Sequence, residues 1–197
     1  MHRRELTGLL QRYAQRSSES RAIAERFLAF VASREDCLLR TCEPGHITAS
    51  AWIWSADSGS CLLTHHRKLD RWLQLGGHVD GEGLVQFAAL REAQEESGMQ
   101  RFELLAPRGE LMPLDLDVHA IPARKEEPEH LHWDVRFLFR CAPGQELVLS
   151  EESKALRWVP RAELSQFVQE DSVLRLEQTA AQWAGLRGAD ALGACAL

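Results

Sequence analysis

The sequence has 197 residues and a formal net charge of −6, with 45% hydrophobic and 26% charged residues. These values predict one globular, soluble domain with room for an extension, and no apolar run reaches the ~18 residues that a membrane-spanning helix needs, so we expect no membrane partner. The acidic balance argues against a stable nucleic-acid partner, although it leaves nucleotide substrates open. The five cysteines are scattered and form no CxxC pair, which disfavours disulfides and cysteine zinc sites and favours a reducing cytoplasm.

Residues 1–36 are predicted to form an N-terminal helical extension. Apolar residues recur at helical spacing in two segments, around Leu9 and around Phe27, and the serine-rich stretch at residues 16–20 is typical of a helix N-cap. Two interpretations stay open for this helix pair. It either packs as a buttress on the following domain or serves as a dimerisation arm, which would make the protein a homodimer.

A β-hairpin is predicted next, with strands at residues 47–54 and 61–65 joined by the turn signal Asp57-Ser58-Gly59. A basic cluster then precedes a short strand at residues 72–75. Its members are Arg67, Lys68 and Arg71. Arg67 and Lys68 are candidate contacts for substrate phosphates, and the alternative is that they lie in a solvated loop.

The stretch from Gly76 to Met99 carries the strongest signal. A glycine-rich polar loop leads into a segment of good helix formers, and Gly98 is placed to end that helix in the left-handed conformation. Glu92, Glu95 and Glu96 stand at i, i+3 and i+4, which gathers three carboxylates on one face. Arg91 can pair with Glu95, and the remaining charge suggests a hard divalent cation such as Mg²⁺, because such ions take oxygen ligands. The alternative is a solvated acidic face.

This stretch resembles the signature of the Nudix hydrolase superfamily, GX5EX7REUXEEXGU, where U is a bulky aliphatic residue. The matching positions are Gly77, Arg91, Glu92, Glu95, Glu96, Gly98 and Met99, with Ala93 as a small substitute for the first U. Gly83 departs from the pattern, because it stands where the signature has its early Glu. The nearest carboxylate is Glu82, which either substitutes through a shifted loop or leaves the position vacant.

The resemblance implies an α+β Nudix fold, an α/β/α sandwich with a mixed sheet, over residues 37–185, followed by a flexible tail at 186–197. It also implies hydrolysis of the diphosphate linkage of a nucleoside diphosphate derivative, with Mg²⁺ or Mn²⁺ as cofactor. The implied metal ligands are Glu92, Glu95, Glu96 and the backbone carbonyl of Gly77, and Arg91 would orient the carboxylates. A helix glutamate that is not bound to metal is one candidate for the catalytic base.

Other site residues follow from the same resemblance. An acidic loop precedes the strand that ends in Trp158-Val159-Pro160, and Glu152 is the first candidate there for the catalytic base or a further metal ligand, with Glu151 second. A Nudix domain that binds a nucleotide without cleaving it is an alternative function. An isoprenoid diphosphate isomerase is a third hypothesis, but such enzymes need an active-site cysteine and the glycine pair has none nearby.

The clearest strand covers residues 130–140. Its apolar residues alternate with His130, His132, Asp134 and Arg136, so the polar set shares one face. His132, Asp134 and Arg136 are candidate substrate contacts. The HxH pair with Asp134 is also a weak zinc signal, against a wall that is merely hydrogen-bonded.

The other secondary-structure elements are predicted from residue patterns. Strands are predicted at 101–105, at 111–121 and in the segment that ends at Pro160. Helices are predicted at 161–168 and 173–183, and a polar loop at 122–128.

Overall fold

A computed structural model of the protein describes residues 3–123 and 128–196. Residues 124–127 of the predicted polar loop therefore lie outside the described residues. The helices are α1 (Arg3–Tyr13), α2 (Ser18–Ser33), α3 (Val85–Ser97), α4 (Leu164–Phe167) and α5 (Asp171–Gly185). The strands are β1 (Gly45–Trp54), β2 (Ser60–His66), β3 (Arg71–Leu73), β4 (Leu75–His78), β5 (Phe102–Pro107), β6 (Asp115–Ile121), β7 (His130–Cys141), β8 (Ser153–Pro160) and β9 (Leu192–Ala194).

Within the described residues, the strands form one mixed nine-stranded sheet in the order β3-β2-β1-β7-β5-β9. Strands β4, β6 and β8 branch from this path by pairing with β1, β7 and β2. The central pair, β1 and β7, is parallel and in continuous register from Gly45–Leu131 to Trp54–Arg140, and the other pairings are antiparallel. Every residue of β1 is buried, as expected for a central strand covered on both faces.

Helices cover both faces of the sheet, which makes the α/β/α sandwich. Ala49 and Ala51 of β1 belong to one buried cluster with α1, α2 and α3. Trp52 and Trp54 belong to a second cluster with α5. Because successive side chains of a strand point to opposite faces, β1 separates an α3 face from an α5 face. The predicted fold class, α+β with an N-terminal helical pair, is confirmed.

The N-terminal helices pack on the α3 face within the single chain. Phe27 meets Trp133 of β7 edge-on at a ring-centroid distance of 5.1 Å, and Phe30 stacks on the same ring at 4.5 Å. The hydroxyl of Ser17 accepts a hydrogen bond from the Ser20 N–H, so the predicted N-cap is present. This packing is what a buttress requires, and the homodimer stays a prediction.

The C-terminal segment differs from the flexible tail that we predict from its alanine and glycine content. Strand β9 pairs antiparallel with β5, in the register Leu105–Ala194 to Pro107–Leu192. The partner strand lies more than eighty residues earlier in the chain, so local composition carried no signal of this pairing. Among the described residues, no helix has both the length and the apolar character that crossing a membrane requires.

Candidate active site

Strand β4 and helix α3 bring the glycine pair against the first glutamate of α3. Gly77 pairs with Ala49 of β1, so a side chain at position 77 would point toward the α3 face. A Cβ added to Gly77 would lie 2.6 Å from a carboxylate oxygen of Glu92. Only glycine allows this approach, which places the β4 backbone beside the carboxylate.

Arg91 ties α3 to β4 and orients two carboxylates. Its Nη1 lies 2.8 Å from Glu92 Oε1 and 3.2 Å from Glu95 Oε2, and its Nη2 donates to the carbonyl of His78 at 2.7 Å. The predicted pair of Arg91 with Glu95 is therefore present. Helix α3 then ends at Gly98, whose φ of 75° is the left-handed cap that we predict.

Glu96 is the buried member of the acidic face, by which we mean Glu92, Glu95 and Glu96. Its residue is 7% exposed, and its Oε2 is buried without a hydrogen-bond partner among the described residues. Burial, together with the nearby charges of Glu92 and Glu152, raises the pKa of Glu96 to about 8. Burial also raises the pKa of Glu92, and a carboxylate held this way is stabilised by a cation.

The acidic loop before β8 reaches this helix. The charge of Glu152 raises the pKa of both Glu92 and Glu96, so the loop brings a further carboxylate to the acidic face. Arg67 holds the loop in place. Its backbone N–H donates to the Glu152 carbonyl, and its guanidinium donates to the carbonyls of Glu151 and Ser153, each at 2.9 Å.

A glycine pair, an arginine-clamped acidic helix and an acidic loop are the features of the predicted signature. The family model of the Nudix domain matches residues 44–180. This chain belongs to the Nudix hydrolase family. Comparison with curated proteins finds no match.

Solved Nudix structures share the fold. A Nudix-family hydrolase from Clostridium perfringens is 25% identical, with a TM-score of 0.55 over 70% of this chain and 97% of the other. The Ap4A hydrolase of C. elegans is 17% identical, with a TM-score of 0.51 over 71% of this chain and 98% of the other. The E. coli dihydroneopterin triphosphate pyrophosphohydrolase is 16% identical, with a TM-score of 0.53 over 69% of this chain and 95% of the other.

The Nudix signature departs at Gly83, and the carboxylate of the neighbouring Glu82 bonds to the backbone. Glu82 is exposed, and its Oε1 accepts a hydrogen bond from the Leu84 N–H at 2.8 Å. This contact satisfies one backbone donor at the entry to α3. It is a structural role for Glu82, independent of any metal.

The polar face of β7 holds a buried ion-pair network that Nudix motif reasoning did not anticipate. Arg136 contacts Asp134 at 2.8 Å, Asp117 at 3.1 Å and Asp115 at 3.2 Å. Arg175 of α5 completes it, at 2.9 Å from Asp115 and 2.8 Å from Asp117. The side chains of Arg136 and Asp134 are each 2% exposed, so contact with substrate would require the network to open. That contact stays a prediction.

A second group of titratable residues lies further along the same polar face. We define the histidine cluster as His46, His78, His119, His130 and His132. Four adjacent strands contribute to it, since the register places His46 opposite His132 and His119 opposite His132, while His78 pairs with Thr48 two residues from His46. Sequence reasoning found only the HxH pair of β7. The others come from separate segments, and Asp134, which we considered with that pair, binds Arg136 and the hydroxyls of Thr48 and Ser50 instead.

Burial keeps the inner rings of the histidine cluster uncharged. Burial first, then the neighbouring His78 and His130, lowers the pKa of His46 to about 4. Burial, then His46 and His119, lowers the pKa of His132 to about 2. His46 and His132 therefore stay neutral at pH 7.

Proposed function

We propose that this Nudix protein hydrolyses the diphosphate linkage of a nucleoside diphosphate derivative in a reaction that requires Mg²⁺ or Mn²⁺. The observation that carries the proposal is the buried carboxylate of Glu96, which keeps one oxygen without a hydrogen-bond partner in the described part of the chain. Glu92 and Glu152 act on it electrostatically, and an ionised carboxylate offers acceptor oxygens and no donor. Such a set of oxygen donors suits a hard divalent cation.

The residues that would hold the metal are Glu92, Glu95, Glu96 and the backbone carbonyl of Gly77. When bound, a divalent cation would neutralise diphosphate charge and lower the pKa of a coordinated water. Arg91 acts on the carboxylates rather than on substrate, because both of its contacts to the acidic face and its contact to His78 are already made. The role of Arg91 is therefore to hold the ligands in position before substrate arrives.

The acidic loop supplies the proposed base. Glu152 is exposed and lies within electrostatic reach of Glu92 and Glu96, so it can take a proton from a water near the acidic face. Arg67 and Lys68 lie exposed at the turn beside this loop. We propose that they face the substrate phosphates, with Arg67 also fixing the loop.

A substrate panel tests the proposed function. Purified protein is incubated with Mg²⁺ and with oxidised nucleotides, dinucleoside polyphosphates, nucleotide sugars or non-nucleotide diphosphates, and released phosphate or monophosphate is measured. We expect turnover of at least one class, loss of turnover with a chelator, and recovery when Mg²⁺ or Mn²⁺ is restored. Turnover that a chelator leaves unchanged would refute the metal-dependent mechanism.

Gly83 favours a second candidate, a Nudix domain that binds a nucleotide without cleaving it. The early glutamate of the signature is missing, and the Glu82 carboxylate is already bonded to the backbone of Leu84. A binding module would show saturable calorimetric binding of a nucleotide and no product after prolonged incubation with Mn²⁺. Product formation from the same compound would exclude this candidate.

Compartment and assembly are two separate proposals. All five cysteines lie within the described residues and are free, which supports our proposal of a cytoplasmic protein. A homodimer through α1 and α2 is tested by light scattering of the purified chain at several concentrations. A mass equal to one chain at all of them would exclude it.

A further inference from the structure

Three members of the histidine cluster place their ring nitrogens close to one another. We call His46, His130 and His132 the histidine triad. One ring nitrogen of each lies within 4.8 Å of the others, and it is the one group of three His, Cys, Asp or Glu side chains in the described part of the chain that meets this spacing. The Nε2 atoms of His130 and His132 are 3.3 Å apart.

That separation suits two ligands of one tetrahedral ion. With zinc–nitrogen bonds of about 2.0–2.1 Å, tetrahedral angles place two nitrogen ligands about 3.3–3.4 Å apart. His130 and His132 therefore already stand at the spacing of a metal-bound pair. Bringing the His46 nitrogen to the same spacing requires a shift of at most about 1.5 Å or a small ring rotation, which is within ordinary side-chain freedom.

The environment of His46 is not explained if the histidines only form hydrogen bonds with one another. The residue is 3% exposed, and both of its ring nitrogens are buried without a hydrogen bond of normal geometry within the described ranges, although the Cys42 backbone lies near enough to the ring to act on its pKa. Leaving a buried polar group without a partner costs about 1–3 kcal/mol. A metal ion would satisfy one of these nitrogens directly.

The tautomer of His130 is set for ligation. Its Nδ1 lies 2.9 Å from the carbonyl of Pro128, which can only accept, so Nδ1 carries the proton. The Nε2 atom is then the unprotonated nitrogen and faces His132. A backbone carbonyl on the remote nitrogen is a usual second contact of a metal-bound histidine.

The triad lies across the sheet from the acidic face. Ala49 and Ala51 of β1 pack with α3, and alternation sends His46 to the other side with Thr48 and Ser50. Consecutive residues of β4 show the same division. Gly77 contacts Glu92, whereas the ring of His78 lies 5.0 Å from that of His46. The two groups are thus separate sites, with nitrogen ligands on one and oxygen ligands on the other.

We propose that His46, His130 and His132 bind a divalent transition-metal ion, with Zn²⁺ as the best fit, at a site distinct from the Mg²⁺ or Mn²⁺ site of α3. Neutral imidazole suits zinc, copper and nickel, whereas carboxylate and carbonyl oxygens suit magnesium and manganese. Three protein ligands leave a fourth position for water or another donor. His130 and His132 are only partly buried, which gives the ion a route from solvent.

Calorimetric titration of untagged, chelator-treated full-length protein with Zn²⁺ in excess Mg²⁺ tests the proposal. We expect one equivalent of Zn²⁺ to bind with micromolar affinity or tighter, without displacement by Mg²⁺. His130→Gln and His132→Gln should each weaken binding at least tenfold. His65→Gln is the matched control, since His65 lies on β2 and pairs with Asp70, and it should bind as wild type does.

Two further measurements identify the metal ligands and check that the variants fold. X-ray absorption at the zinc edge should count three imidazole nitrogens, and circular dichroism should show that the glutamine variants are folded. Absence of stoichiometric Zn²⁺ binding by wild type, or equal binding by the folded triad variants, overturns the proposal. Glu96→Gln should keep full Zn²⁺ affinity, so that failure of the hydrolase proposal and failure of this one are distinguishable.

Discussion

The acidic face of α3 and the histidine triad occupy opposite sides of one sheet and are built in opposite ways. The acidic face is local, since Glu92, Glu95 and Glu96 lie within two turns of one helix. The triad is nonlocal, because His46 comes from β1 and its two partners from β7, more than eighty residues later. The comparison teaches that one strand pair can separate an oxygen-donor site from a nitrogen-donor site, with Gly77 and His78 as the dividing residues.

The largest expected effect comes from Glu96→Gln, which keeps size and removes the charge from the acidic face. Hydrolysis should fall at least about a hundredfold, because an electrostatic group of the reacting centre is lost, while Zn²⁺ binding stays unchanged. Steady-state kinetics on the best substrate of the panel measures hydrolysis, and calorimetry measures Zn²⁺ binding. The exposed Glu25→Gln on α2 is the matched control. Unchanged turnover in E96Q would show that α3 does not hold the catalytic metal.

Gly77→Ala tests the contact on the α3 side of the dividing strand. The new Cβ would lie 2.6 Å from a carboxylate oxygen of Glu92, so the carboxylate must move. We expect about a tenfold or greater loss of kcat and a stability loss of about 1–3 kcal/mol by urea unfolding, with Zn²⁺ affinity kept. Gly185→Ala is the control, since an added Cβ there would meet no atom of another element within 4 Å in the described part of the chain. Wild-type kinetics in G77A would contradict the close approach.

Asp117→Asn tests the buried ion-pair network, which lies on the same side of the sheet as the triad. Burial opposes the charge of Asp117, but the hydrogen bonds with His119 and Arg175 and the charge of Arg136 outweigh it and lower the pKa. A carboxyl with a lowered folded-state pKa stabilises the fold above its ordinary value near pH 4, and this contribution is lost as the pH falls. We expect D117N to lose about 1–3 kcal/mol at pH 7.

The pH profile of that variant is the decisive measurement. The difference in unfolding free energy between D117N and wild type should shrink as the pH falls below about 4. Asp190→Asn, an exposed carboxylate near Arg108, should show a much smaller difference at pH 7. A difference for D117N that stays constant from pH 7 to pH 3 would mean that the charge of Asp117 does not stabilise the fold.

The smallest effect is expected from Glu82→Gln. The glutamine oxygen can still accept the Leu84 N–H, so we expect a stability change of a few tenths of a kcal/mol. The Mg²⁺ dependence of hydrolysis should stay within about twofold of wild type if Glu82 is a cap rather than a metal ligand. A tenfold rise in the Mg²⁺ concentration needed for half-maximal rate would instead show that Glu82 replaces the glutamate missing at position 83.

Sequence reasoning succeeded where the signal was local. The spacing of Glu92, Glu95 and Glu96 and the cap at Gly98 follow from helix geometry. It failed for the C-terminal strand β9, whose composition suggested a free tail, because the hydrogen bonds that order it come from β5. It also gave Asp134 and Arg136 as substrate contacts without their partners Asp115, Asp117 and Arg175, which come from β6 and α5.

The sequence by itself determined the family, the acidic helix and the alternation of β7, since each depends on residues a few positions apart. Only the tertiary structure decided that His46 joins His130 and His132 and that Glu152 approaches Glu96. It also decided that buried aspartates balance the charge of Arg136. The physical reason is strand register. The β1–β7 pairing alone sets His46 opposite His132, and no spacing along the chain encodes that distance.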